Sequence, residues 1–358
     1  MEPGHLHYKP DFPECAQRMA AFWRGAPLDR PPIWVTAPRR RPLPGPPAPL
    51  DPGDPVRRWT DAQWRLLSAD AAMRATFYGG EAVPAFVPQL GPGSLAIHLG
   101  SEPVFMPDTV WYRPCLASLT GGPDLRHDEH EPWWVFTREM VLRAGQMGEG
   151  KFVLAFPDLI ENLDTLASLR GAQELLVDLL DAPEAVHRYQ RQILELYFRY
   201  YDELATLMDI PGHGSLFVTF PGWGPGRVCK LQCDLSAMIS PDMFREFVLP
   251  YLCAQCRRVD HAFYHLDGPD AVCHLEALLE IPQLHGIQWT PGAGTEPVES
   301  EVWWPLYRRT QEAGKSLFLL GIPAELVPTF VRRFDRNLLF ISTGCATQDD
   351  AEALLAAL

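Results

Sequence analysis

Apolar residues in this chain fall into short unbroken runs separated by longer stretches of helical period, most cleanly from residue 151 onward. The runs KFVLAFPDL, GRVCKLQCDL, HAFYHLDG, LHGIQW, SLFLLGI and NLLFISTG each read as a strand buried on both faces, as in a parallel sheet. Helices are expected between them, at Asn162 to Arg170, Ala172 to Leu180, about 183–208 and about 240–258. Further helices are expected in VCHLEALLEI, WWPLYRRTQEAG, AELVPTFVRRF and QDDAEALLAAL, the last capped by Thr347. Asp181, Pro183 and Glu184 spell a helix start, with Asp181 as the expected N-cap. Upstream, Ile33-Trp34-Val35 and AVPAFV add two strands, and helices are expected at Cys15 to Gly25, Trp59 to Ala75 and Phe136 to Met147. The proline-rich stretch 39–55 reads as an irregular arm, because proline fixes φ and removes a donor.

Eight strands alternating with helices predict an α/β fold, a (β/α)8 TIM barrel with an elaborated N-terminal region. The expected organisation is a single barrel domain over 1–358, with residues 1–75 forming a helical and Pro-rich extension. Alternation alone also fits an open doubly wound sheet. The nucleotide-binding version of that fold lacks its G-x-G-x-x-G and Walker A signatures here.

Composition narrows the function classes. Hydrophobic residues make up 47 % of 358 positions, enough for a large core. A net charge of −14 argues against nucleic-acid binding. The N-terminal segment MEPGHLHYKPDFPEC lacks the pattern of a signal peptide, and no run of about 18 apolar residues predicts a membrane span. Eight cysteines without small-scaffold spacing read as reduced thiols, so the expected location is the cytoplasm. Cys253 and Cys256 form a CxxC inside an expected helix and read as buried thiols.

Candidate chemistry concentrates at expected strand ends. His265 and Asp267 close the run AFYHLD, two residues apart and therefore on one face of a strand. Cys345 follows the final strand. In a barrel these ends meet at one mouth, where His265, Asp267 and Cys345 would offer three ligands to Zn²⁺ and leave a fourth position open. Taken singly, each has a plainer reading: a hydrogen-bonded core histidine, a turn aspartate, a buried thiol. Asp158, Asn162, Asp234, Gln288 and Trp289 stand at other strand ends and are expected to bind or orient substrate, or else to cap helices, form turns or fill the core.

Four segments carry a family resemblance: LASLRGAQELLVDLLDAPEAVHRY, CDLSAMISPDMFREFVLPY, YHLDGPDAVCHLEALLEI and IQWTPGAG. From about residue 150 the chain resembles the uroporphyrinogen decarboxylase superfamily. The resemblance implies a (β/α)8 barrel and one of two chemistries. One branch holds zinc methyltransferases that work with corrinoid proteins through a His-x-Cys motif and a distant Cys. His265 matches that histidine and Cys345 the distant cysteine, while Asp267 stands where the first cysteine would be. The implied activity is methyl transfer between a small molecule and a corrinoid (cobalamin) carried by a partner protein, with Zn²⁺ as cofactor. The other branch is a metal-free tetrapyrrole decarboxylase, faintly suggested by Arg39, Arg40 and Arg41 after the first strand. A non-catalytic barrel that binds a corrinoid protein is the third reading.

Overall fold

The computed structural model describes residues 4–217 and 221–358. Its strands are β1 (Ile33–Pro38), β2 (Thr76–Gly80), β3 (Ala85–Phe86), β4 (Glu102–Phe105), β5 (Val110–Arg113), β6 (Val153–Leu154), β7 (Val228–Gln232), β8 (His261–Asp267), β9 (Gly286–Thr290), β10 (Ser316–Leu319) and β11 (Leu339–Gly344). A seven-stranded sheet runs β2-β1-β11-β10-β9-β8-β7. All its pairings are parallel except β1–β2. β3 and β6 form a separate parallel pair, and β4 and β5 an antiparallel hairpin.

The expected α/β alternation is present, but the ladder does not close into a barrel among the described residues. Two local causes are visible. β3 and β6 are two residues long, and Pro84, Pro88 and Pro157 beside them supply no N–H to extend a ladder. The free edge of β1 is taken by β2, an antiparallel strand that the sequence pattern did not announce, with Trp34 opposite Gly80. Phe156 N–H still donates to Leu216 C=O at 2.8 Å, so the chain after β6 lies beside the approach to β7.

Helix boundaries follow local chemistry. Asp181 ends the helix Ala172–Asp181 instead of capping the next. Ala182 takes the cap of Pro183–Leu207 without a side-chain bond, because a residue before proline is pushed out of helical geometry. The expected helix over Trp59 to Ala75 is two, Pro55–Thr60 and Ala62–Ala75, with Asp61 at the junction accepting from Trp64 N–H. Thr347 caps Gln348–Ala356 as expected.

In-register partners across parallel strands point to the same side of the sheet. One face therefore carries Gln232, His265, Gln288, Phe318 and Phe340 as a row, with Lys230, Phe263, Gly286 and Ser316 one layer below. The first helix, Phe12–Trp23, packs on this face, where Phe22 meets Phe318 of the upper row and Trp23 meets Phe263 of the lower one. The opposite face packs against helices, as Tyr197 on Cys229 and Trp303 on Trp289 illustrate.

This aromatic floor has a pH consequence. His261 stacks on Trp23 at 4.8 Å and lies beside His285 and Asp260. Burial, then the neighbouring His285, hold its pKa down to about 4 against an ordinary 6.5. The unfolded chain therefore binds the extra proton first, so stability is full above about pH 6.5 and declines as the pH falls towards 4. His261→Gln is expected to flatten this decline by about 1–2 kcal/mol, partial exposure keeping it below the full linkage value. Urea midpoints at pH 7.5, 5.5 and 4.5 measure it; parallel wild-type and variant curves would refute the assignment.

Candidate metal centre

β7 ends in Gln232, and the chain turns through Cys233 into the short 3₁₀ segment Asp234–Met238. The turn is fixed from a distance. Asp164, in the first turn of the helix Asn162–Arg170, accepts from Asp234 N–H at 2.7 Å and Leu235 N–H at 3.0 Å. Gln232 Nε2 then donates to Asp234 Oδ2 at 3.0 Å. β8 delivers His265 and Asp267 from the same face two residues apart, with His265 in register with Gln232. The result is a cluster of Asp234, His265 and Asp267 whose ligand atoms all lie within 4.8 Å of one another.

The tautomer of His265 follows from its neighbour. Gln288 Nε2 donates to Trp289 C=O at 2.7 Å and Thr290 Oγ1 at 3.0 Å, so its Oε1 faces His265 Nδ1. An amide oxygen only accepts, hence Nδ1 carries the proton and Nε2 the lone pair. That is the form in which an imidazole ligates a metal, with the second nitrogen held by an amide. Burial and then Lys230 press the His265 pKa down to about 4, so the ring is neutral at physiological pH.

The carboxyl groups around it bind protons unusually firmly. Burial pushes Asp234 up to about 7, with Asp164 the next cause, although the residue opens to solvent on one side. Burial also raises Asp267 and Asp164. Glu161, which accepts from Gln232 N–H at 2.9 Å, is pushed up to about 8 by burial despite nearby Lys230. Lys230 is the cation of this cup: its Nζ lies 2.7 Å from Asp158 Oδ1, and it also bonds Gln232 Oε1. Burial alone would lower its pKa, but Asp158 and Glu161 outweigh that and raise it. Crowded carboxyls facing a neutral imidazole form a set that a divalent cation relieves. One imidazole and two carboxylates suit Zn²⁺ and also Mn²⁺ or Fe²⁺; among the described residues no thiolate joins the cluster.

The expected site residues are thus distributed in two ways. Asp234, His265 and Asp267 converge, Gln288 orients His265, and Asp158 balances Lys230. Cys345 does not join them. Gly344 pairs with Thr36 in the row of Trp34 and Ser342, so Cys345, one residue on, falls out of phase. It lines a depression on the helical side with Pro328, Asp350 and Leu354, and burial raises its thiol pKa. Trp289 likewise points outward, onto Trp303. Asn162, at φ 54°, is buried and donates to Gln255 Oε1 at 2.8 Å, a helix-to-helix tie. Arg39 bonds the carbonyls of Tyr8 and Thr76, and Arg40 the carboxylates of Asp349 and Glu352, so neither belongs to this cluster.

Glu161, Asp164, Lys230 and Gln232 are the residues that sequence reasoning passed over. A signal existed for two of them: Lys230, Gln232 and Asp234 follow at spacing two through an otherwise apolar strand.

No protein-family model matches the chain, and no curated protein matches it. Among solved structures, a methyltransferase from Methanosarcina mazei is similar at 12% identity and a TM-score of 0.61, over 96% of this chain and 97% of that one. The chain thus shares the α/β fold of that methyltransferase across nearly its whole length.

Proposed function

We propose that the protein is a metal-dependent methyltransferase in which Asp234, His265 and Asp267 hold Zn²⁺ and the methyl group moves between a small molecule and a corrinoid carried by a partner protein. The observation that carries the reading is the convergence of those three side chains where β7 and β8 end. Its supports are the fold shared with a methyltransferase and the resemblance of the segments around β7, β8 and β9 to the uroporphyrinogen decarboxylase superfamily, in whose zinc methyltransferase branch His265 matches the motif histidine. A barrel closed by weaker contacts than ladder hydrogen bonds belongs to the same proposal.

When bound, Zn²⁺ acts as a Lewis acid towards the heteroatom that gains or loses the methyl group. The chain's own contribution is placement. Gln288 holds the His265 ring by its Nδ1 proton, and Gln232 with Asp164 holds Asp234. Lys230, paired with Asp158, keeps the floor of the cup close to neutral in charge beneath the mouth carboxylates. Asp267, half-buried at the tip of β8, lies where substrate would enter.

The test is methyl transfer from methylcobalamin to small thiols, phenols and amines, read as loss of the alkylcobalt absorption, and the reverse transfer from methyl thioethers, methoxyarenes and methylamines to cob(I)alamin, read as its gain. The zinc-loaded wild type is expected to demethylate the corrinoid with at least one acceptor class, or to form it in reverse. His265→Ala is expected to lower the rate by at least about a hundredfold. Metal-loaded protein inert in both directions with every class would overturn the methyl-transfer reading.

A further inference from the structure

A second depression, of about 360 Å³, lies beside the end of β3 and is walled by Trp59, Trp64 and Phe86. Its volume falls within the range of small-molecule pockets. It is separate in its lining residues from the carboxylate cup. Its walls are held in place: Trp59 Nε1 donates to Met106 C=O at 2.8 Å, and Trp64 Nε1 to Leu50 C=O at 2.9 Å. Both indoles thus spend their polar atom on backbone. The two residues that receive these bonds, Leu50 and Met106, expose apolar side chains, 92% and 41% respectively.

Arg65, from the helix Ala62–Ala75, supplies the charge. Its terminal nitrogens donate to Trp59 C=O at 3.1 Å and Val87 C=O at 3.2 Å. Its guanidinium carbon lies 6.0 Å from the Trp59 ring centre and 5.8 Å from that of Phe86. Among the described residues no carboxylate pairs with it, unlike Arg58 at the same pocket, which is held by both oxygens of Asp51 at 2.9 and 2.6 Å. Burial pushes the Arg65 pKa down to about 10 with no anion to offset it. A guanidinium packed among aromatic rings and carbonyls, with N–H groups to spare, costs desolvation that only an anion repays fully.

We propose that this depression binds a small organic acid: its carboxylate on Arg65 and its flat apolar body between Trp59 and Trp64. A planar carboxylate matches the guanidinium fork, and indole faces accept an aromatic or conjugated body. The site does not depend on the metal centre, and its test involves no metal.

The experiment is calorimetric titration of the full chain with 1-naphthoate, with the uncharged 1-naphthamide and with inorganic phosphate. Naphthoate is expected to saturate the wild type and to bind Arg65→Met about tenfold more weakly or worse. Naphthamide should bind both proteins alike. Trp64→Leu, which leaves Arg65 in place, should weaken naphthoate about fivefold and spare phosphate. This second variant decides the matter if Arg65→Met does not fold. Naphthoate that fails to saturate the wild type, or binds all folded variants equally, would overturn the proposal. So would phosphate that depends on Arg65 while naphthoate does not.

Discussion

Purified without chelator, the wild-type chain is expected to carry about one zinc, and His265→Ala less than about a tenth of one. The histidine is the one neutral nitrogen donor of the cluster, and without it two exposed-side carboxylates remain, a set common on protein surfaces with no metal. Gln288→Leu gives a graded version. It leaves all three ligands in place but removes the acceptor that fixes Nδ1–H, and the expected loss is about 10–100-fold in affinity. Cys345→Ala should keep its zinc, since the thiol lies on the helical side of β11. Elemental analysis of the four proteins, with competition against a chromophoric chelator, measures the series. Zinc retained by His265→Ala and lost from Cys345→Ala would show that the metal sits elsewhere.

That series turns on a distinction which sequence alone leaves open. His265 and Asp267 are paired by local geometry, because residues two apart on one strand share a face. The third ligand depends on register between strands that are remote in sequence. Gln232 pairs with His265, so the turn after β7 brings Asp234 to Asp267. Cys345 stands at the end of a strand in the same way, but β11 ends its pairing at Gly344, and the next residue is turned to the other side. A strand end does not declare which phase is inward; a one-residue offset exchanges the faces. The resemblance that matches Cys345 to a ligand cysteine concerns position in the chain, whereas the side chain's direction is set by the ladder.

The fold divides along a similar line. The strands β7 to β11 lie within or close to the expected runs, since each is a buried apolar stretch between a turn and a helix with strong start signals. β3 and β6 shrink to two residues because prolines interrupt the runs AVPAFVP and VLAFP. β2 escaped notice because Thr76–Gly80 contains two glycines and no alternation, and it is stabilised by its partner β1 instead of by its own propensity. Glu161 and Asp164 read as the start of a helix, and nothing local indicates that their carboxyls are buried against the end of β7.

Lys230→Met is expected to destabilise the protein by about 3–5 kcal/mol. Lys230 is 2% exposed and faces Asp158, also buried, at 2.7 Å, with Glu161 close by. Removing the cation leaves buried carboxyls that must either take up protons or remain uncompensated, and both cost stability. Adding Asp158→Asn should recover part of the loss, because the second substitution removes the charge that the first one strands. Arg245→Ala is the contrast. Its bidentate pair with Glu280, at 2.8 Å for both bonds, is solvent-exposed and screened by water, and the expected shift in the urea midpoint is small beside that of Lys230→Met. Urea denaturation of wild type, both single variants at 230 and 245, and the 158/230 double variant measures all three terms. A Lys230→Met protein within 1 kcal/mol of wild type would mean that the cup carries no net need for its cation. Loss of stability with full recovery in the double variant would place the whole effect in the one ion pair. Partial recovery is the expected result, since Glu161 and Gln232 also lean on Lys230 and neither is relieved by changing Asp158.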